Sequence, residues 1–170
     1  MARAFRGDAG TSRTDTAPGT CCSLPVSKLT GATRELRSAL KRCGIASSGQ
    51  LLHAAGEVAA RHALAQASGI ASEDLLRLVQ RADMARVRGV GAVFAQMLER
   101  LQVRDVQTLA AADGELLERR LQALNRAERW ARRAPTLAEI RDWIRQAQRL
   151  PVVLRYDAEA AVSPSTSAMP

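Results

Sequence analysis

The chain has 170 residues, 46% hydrophobic but only 3% aromatic, with 25 Lys and Arg against 17 Asp and Glu, for a net charge of +8. That length fits one domain with tails, and a core made of Leu, Val, Ile and Ala favours helices over sheets, which points to an all-α bundle of short helices. The positive surplus favours a polyanionic partner, and no apolar run reaches membrane-spanning length.

In chain order, residues 1–26 are rich in Gly, Ser, Thr, Ala and Pro without periodicity and are expected to form a disordered tail. The domain is expected over 27–157, with a second disordered tail at 158–170. The apolar spacing predicts a helix over 33–42, stopped by Gly44, then a helix capped by Ser47 or Ser48 that carries Leu51 and Leu52. A further helix over 57–66 closes at Gly69. Ser72, with Glu73 and Asp74 in the first turn, is expected to start a connector carrying Leu75, Leu76, Leu78 and Val79. Asp83 is read as the cap of a short helix with Met84 and Val87, which runs into Gly89-Val90-Gly91. The next helix has Phe94, Ala95, Leu98 and Leu101 on one face. Asp105 caps a helix through Leu109, and Asp113 caps one that carries Leu116, Leu117, Leu121 and Leu124 and ends near Asn125. After Pro135, Thr136 and Glu139 form a capping box for the last helix, which places Leu137, Ile140, Trp143, Ile144 and Ala147 toward the core.

An internal repeat runs through this middle region. An offset of 58 residues relates Gly31 to Gly89, Leu36 to Phe94, Leu40 to Leu98, Ile45 to Val103 and Leu51 to Leu109. It continues through Ala54 with Ala112, Gly56 with Gly114, Glu57 with Glu115 and Arg61 with Arg119. A shared register over apolar positions and punctuation alike predicts two copies of one helical hairpin unit packed as a pseudo-symmetric pair.

Gly89-Val90-Gly91 permits a tight turn at the start of a helix, where free N–H groups and the positive end of the helix dipole suit a phosphate. Gly91 is the position expected to resist a β-branched residue. The Gly-Val-Gly turn, followed by Ala95 four residues after its second glycine, resembles the helix-hairpin-helix motif of sequence-nonspecific DNA-binding proteins. That resemblance implies that the turn N–H groups at Gly89, Val90 and Gly91 contact a phosphate, with a basic residue after the second glycine. Ala92 and Val93 stand there instead, so the charge is expected from Arg86 and Arg88. The first copy, Gly31-Ala32-Thr33, lacks the second glycine but has the Thr33 hydroxyl and Arg34 close behind, a weaker second hairpin site.

Several separated motifs resemble a wider family: Ala-Asp-Met-Ala-Arg-Val-Arg-Gly-Val-Gly, then Val-Arg-Asp-Val-Gln-Thr-Leu-Ala, Asn125, Arg133-Ala134-Pro135, Asp142-Trp143-Ile144-Arg145-Gln146-Ala147 and Leu150-Pro151. Together, over residues 28–156, they resemble domain of unknown function 4332. The resemblance implies an all-α domain containing helix-hairpin-helix units and implies no activity.

Residues 125–133 form the densest positive segment, and on a helix Arg126, Arg129 and Arg133 would share one face suited to backbone phosphates around Trp130. Enzymatic readings find no support. His53 and His62 lie nine residues apart with no carboxylate or cysteine at ligand spacing, no phosphate-loop or nucleophile-elbow pattern occurs, and no metal or cofactor is expected. Cys21, Cys22 and Cys43 make no metal or disulfide framework, and no secretory signal is visible, so the cytoplasm is the expected compartment. The leading expectation is a non-enzymatic module that binds nucleic-acid backbone, DNA above all, weakly and without base specificity. The alternative is a protein-interaction or scaffolding module in which the hairpins are purely structural.

Overall fold

Residues 23–156 are described by a computed structural model, all-helical throughout, with eight α-helices and a short 3-10 turn among the described residues. The first half comprises the turn Val26–Lys28, α1 (Arg34–Arg42), α2 (Ser48–Ala55) and α3 (Val58–Ser68). Side chains close to each helix start set the boundaries. Thr33 Oγ1 accepts from the Leu36 N–H at 3.3 Å, and Ser47 and Gln50 exchange the two bonds of a capping box. Gly44 and Gly69 take left-handed backbone at φ of 77° and 71°, ending α1 and α3. The packed unit starts earlier than composition suggests: Ser48 N–H donates to the Leu24 carbonyl at 2.7 Å, and Val26 is buried in the core. The remainder of both expected tails lies outside the described residues.

The connector α4 (Ser72–Met84) begins one residue after Ala71, without a side-chain cap. It runs unbroken through Asp83, so Asp83 does not cap a separate short helix. From Met84 onward the chain leaves α4 through turns closed by Arg86 N–H to Asp83 O and Val87 N–H to Met84 O. The second half comprises α5 (Ala92–Arg100), α6 (Val106–Ala110), α7 (Gly114–Glu128) and α8 (Leu137–Arg149). Asp105, Asp113 and Thr136 cap α6, α7 and α8, the first and last with complete capping boxes. Helix α7 passes Asn125 and ends at Glu128, with Arg129 left-handed at φ 51°.

Backbone states recur at the 58-residue spacing. Gly31 and Gly89 are both left-handed, at φ 73° and 90°, and Gly44 at 77° is matched by Gln102 at 67°. Thr33 N–H donates to Gly31 O at 3.0 Å as Gly91 N–H does to Gly89 O at 3.1 Å, and Ile45 N–H to Leu40 O matches Val103 N–H to Leu98 O, both at 2.9 Å. Leu40, Leu98, Leu51 and Leu109 are all fully buried. The correspondence fades beyond α2 and α6: Arg61 is buried while Arg119 is exposed.

Two apolar clusters form the interior. One gathers residues from Val26 to Ala82 and the other from Met84 to Ala147, with α4 contributing to both. An extended strap over 150–156 crosses them. Leu150 packs on the second cluster, whereas Leu154 is fully buried in the first. Arg155 N–H donates to Gly56 O at 2.9 Å, Gln107 Nε2 donates to Leu154 O at 2.6 Å, and Tyr156 Oη hydrogen-bonds the buried Asp105 carboxylate. A Cβ at Gly56 would stand 2.6 Å from the Val153 carbonyl, so glycine is what lets the strap come so close. None of the helices among the described residues is long and apolar enough to cross a membrane.

Candidate nucleic-acid interface

Both glycine turns are built by neighbours distant in sequence. At the first, Arg81 of α4 donates from Nη1 to the Thr30 carbonyl at 2.6 Å and makes a two-pronged bond with Glu99 of α5, at 3.0 and 2.9 Å. Its guanidinium occupies the space beside Gly31 that a Cβ would fill. This side chain joins the first turn to the helix that follows the second. At the second turn, a Cβ on Gly89 would lie 2.9 Å from Trp143 Nε1, so a bare backbone is needed on steric as well as conformational grounds. Gly91, expected to be the restrictive glycine, is instead the N-cap of α5 at φ −74°, ψ 172°, with open space around it. Any residue adopts that backbone. The helix start it leaves has no side-chain cap, unlike that of α1.

The basic residues near Gly89 divide by role. Arg86 pairs with the buried Asp83 at 2.6 Å and donates to the Pro151 carbonyl at 2.9 Å. Burial raises the Asp83 carboxyl above its ordinary pKa, against the opposing pull of the Val106 N–H and Arg86. That carboxylate accepts from Val106 N–H at 3.0 Å, so Asp83 satisfies the first turn of α6, 23 residues away, rather than a helix of its own. Arg88 is exposed, and its backbone N–H and C=O are bracketed by the Gln146 side-chain amide at 2.9 and 3.2 Å. Arg86, Arg88 and Gly89 share an open hollow with Asp142, Gln146 and Arg149 of α8. Arg149 is an addition to the residues expected there; its signal in the sequence is the polar stripe of Asp142, Gln146 and Arg149 at helical spacing beside Trp143. Asp142 is held below its usual carboxylate pKa, first by its hydrogen bond with Arg145 and then by that with Gln146.

Arg126, Arg129 and Arg133 do not share a helical face, because the helix stops at Glu128 and Arg129 turns left-handed. The Asn125 side chain locks the turn, donating to Ala131 O at 3.1 Å and accepting from Ala131 N–H at 2.8 Å. Arg133 forms a two-pronged pair with Glu139, both bonds at 2.7 Å. Arg126 and Arg129 are exposed on the α7 end, and neither lines the Gly89 hollow. Trp130 is half-buried against the second cluster. Arg34 is exposed directly after Thr33. No group of three or more His, Cys, Asp or Glu side chains comes together to hold a metal among the described residues.

The family described as Domain of unknown function (DUF4332) matches residues 30–150, and the chain belongs to it. No curated protein and no solved structure matches the chain.

Proposed function

We propose that this member of the DUF4332 family is a non-enzymatic module of two helix-hairpin-helix units, related by internal duplication, that binds nucleic-acid backbone without reading bases. The supporting observation is the pair of left-handed glycine turns at Gly31 and Gly89, 58 residues apart, each leading into a helix start, with Arg81 tying the first turn to the helix that follows the second. Two helix starts held in fixed relation offer oriented N–H groups to two phosphates. Arg34 at the first turn and Arg88 with Arg149 at the second supply the long-range attraction.

The competing reading, a protein-interaction module in which the turns only pack helices, has one observation in its favour. Gln146 occupies the Arg88 backbone groups, and Arg86 is committed to Asp83, so part of the second turn serves α8 and α4.

Fluorescence anisotropy of the full chain against short duplex and single-stranded DNA, repeated across salt concentrations, separates the two. With about two to four phosphates neutralised, log affinity should fall against log salt with a slope of about −2 to −4. Arg88→Glu should weaken binding while leaving the fold intact. No binding at low salt, or binding that ignores salt, would defeat the proposal and leave the turns structural.

A further inference from the structure

Between α4, α5 and the Trp130 turn lies a cleft of about 420 Å³, a volume suited to a small ligand. Its lining combines several chemistries. Arg77, Arg100 and Arg104 supply cations, Gln96 and Gln102 supply amides that both donate and accept, Trp130 supplies a flat π face, and the one carboxylate, Glu99, is paired with Arg81 at 2.9 Å. Arg77 and Arg100 are tempered by Glu73 and Glu128, at 2.5 and 3.5 Å, whereas Arg104 makes no ion pair among the described residues. Cations alone would accept any anion; the indole and amides narrow the match to an anion that carries an aromatic ring with hydrogen-bonding edges.

A second observation singles out the same place. The two non-glycine residues with left-handed backbone among the described residues are Gln102, in the cleft wall, and Arg129, immediately before Trp130. At the position equivalent to Gln102 the first half has Gly44, which takes the same conformation without steric penalty. The second half thus keeps a side chain where the fold favours none, and that side chain faces the cleft. Trp130 is likewise fixed in advance, by the Asn125 bracket on Ala131 and by its packing on the second cluster.

We infer that this cleft binds a single unstacked nucleotide, with the base against Trp130, its edge met by Gln96 or Gln102, and the phosphate drawn to Arg104. The nucleotide could belong to a strand or be free in solution. The strand source deepens the backbone-binding proposal and rests on it; the free source does not.

The test follows indole emission of the full chain titrated with AMP, with short oligo(dT) and with a blunt duplex, using Trp130→Phe to identify the Trp130 signal. Oligo(dT) is expected to quench Trp130. Arg104→Glu should weaken that binding by about tenfold or more, and loss of stacking in Trp130→Leu should weaken it about 5- to 150-fold. Gln102→Gly, which keeps the fold, should also weaken it. Quenching by AMP with no oligonucleotide binding would assign the cleft to free nucleotides and count against the backbone proposal alone. Oligonucleotide binding that leaves Trp130 emission unchanged and is indifferent to Arg104→Glu would overturn the cleft and leave the backbone proposal standing. Binding by none of the three would overturn both.

Discussion

Arg81 stands where a side chain on Gly31 would have to be, and the same guanidinium holds the Thr30 carbonyl and the Glu99 carboxylate. Gly31→Ala therefore faces two penalties, a left-handed backbone at φ 73° and displacement of this clamp. The left-handed conformation alone costs a residue with a Cβ about 1–2 kcal/mol. A loss of about 2–3 kcal/mol in chemical denaturation is expected. An unchanged midpoint would contradict both penalties, the left-handed backbone and the displaced clamp.

The two glycines of the second turn should respond in opposite directions. Gly89→Ala meets Trp143 Nε1 and φ 90°, and should cost about 1–3 kcal/mol. Gly91→Thr places a capping hydroxyl where Thr33 stands in the first half, and should gain a few tenths of a kcal/mol, roughly the difference between Gly and Thr as caps. Thermal melts of both variants decide it; equal damage would contradict the cap assignment.

Arg61 is buried and donates to the carbonyls of Ala55, Gly56 and Arg155 at 3.1, 3.2 and 3.0 Å. Arg61→Met removes the donor from all three carbonyls, leaving Gly56 O only its bond from the Arg155 N–H, and is expected to cost about 1–3 kcal/mol. The strap should loosen first, so hydrogen exchange at the Arg155 amide should accelerate more than exchange in α8. Uniform acceleration across the domain would mean that the side chain supports the whole fold rather than the strap.

Glu139 is held far below its usual value, to about 2, chiefly by hydrogen bonding to Arg133 and then by the Thr136 amide. Because the folded value is depressed, its contribution is present above the ordinary 4.5 and disappears as pH falls toward about 2. The Glu139 carboxyl carbon should titrate by NMR near pH 2, with the Thr136 amide shifting alongside it. In Arg133→Gln the midpoint should move upward. A wild-type midpoint near 4.5 would show that the pair does not persist in solution.

Local features were readable from sequence, and distant ones were not. Asp105, Asp113 and Thr136 cap the helices they were expected to cap, Ser47 rather than Ser48 caps α2, and Thr33, expected inside the first helix, is its cap; each bonds an amide three residues on. Asp83 has the same chemistry but serves Val106, and nothing in a short window distinguishes the two uses. The expected arginine face failed for a related reason: it required α7 to continue, and the Asn125 bracket with left-handed Arg129 stops it. Arg81 reaches partners 51 and 18 residues away, which no periodicity reports. Gln102 was within reach of the repeat, since its equivalent is Gly44, but a glycine replaced by glutamine stands out only when the backbone angle is known.

The strap also dictates an order of assembly. The first apolar cluster draws its other buried members from residues up to Ala82, yet it is closed by Leu154. During synthesis at about 5–20 residues per second, that half must wait several seconds for its last apolar piece, with surface exposed that the finished fold covers. The domain therefore cannot complete its halves one after the other as they leave the ribosome. The first half is complete only when the strap arrives, and damage to Gly56 or Arg61 should appear as lower yield of folded protein before it appears in any binding assay.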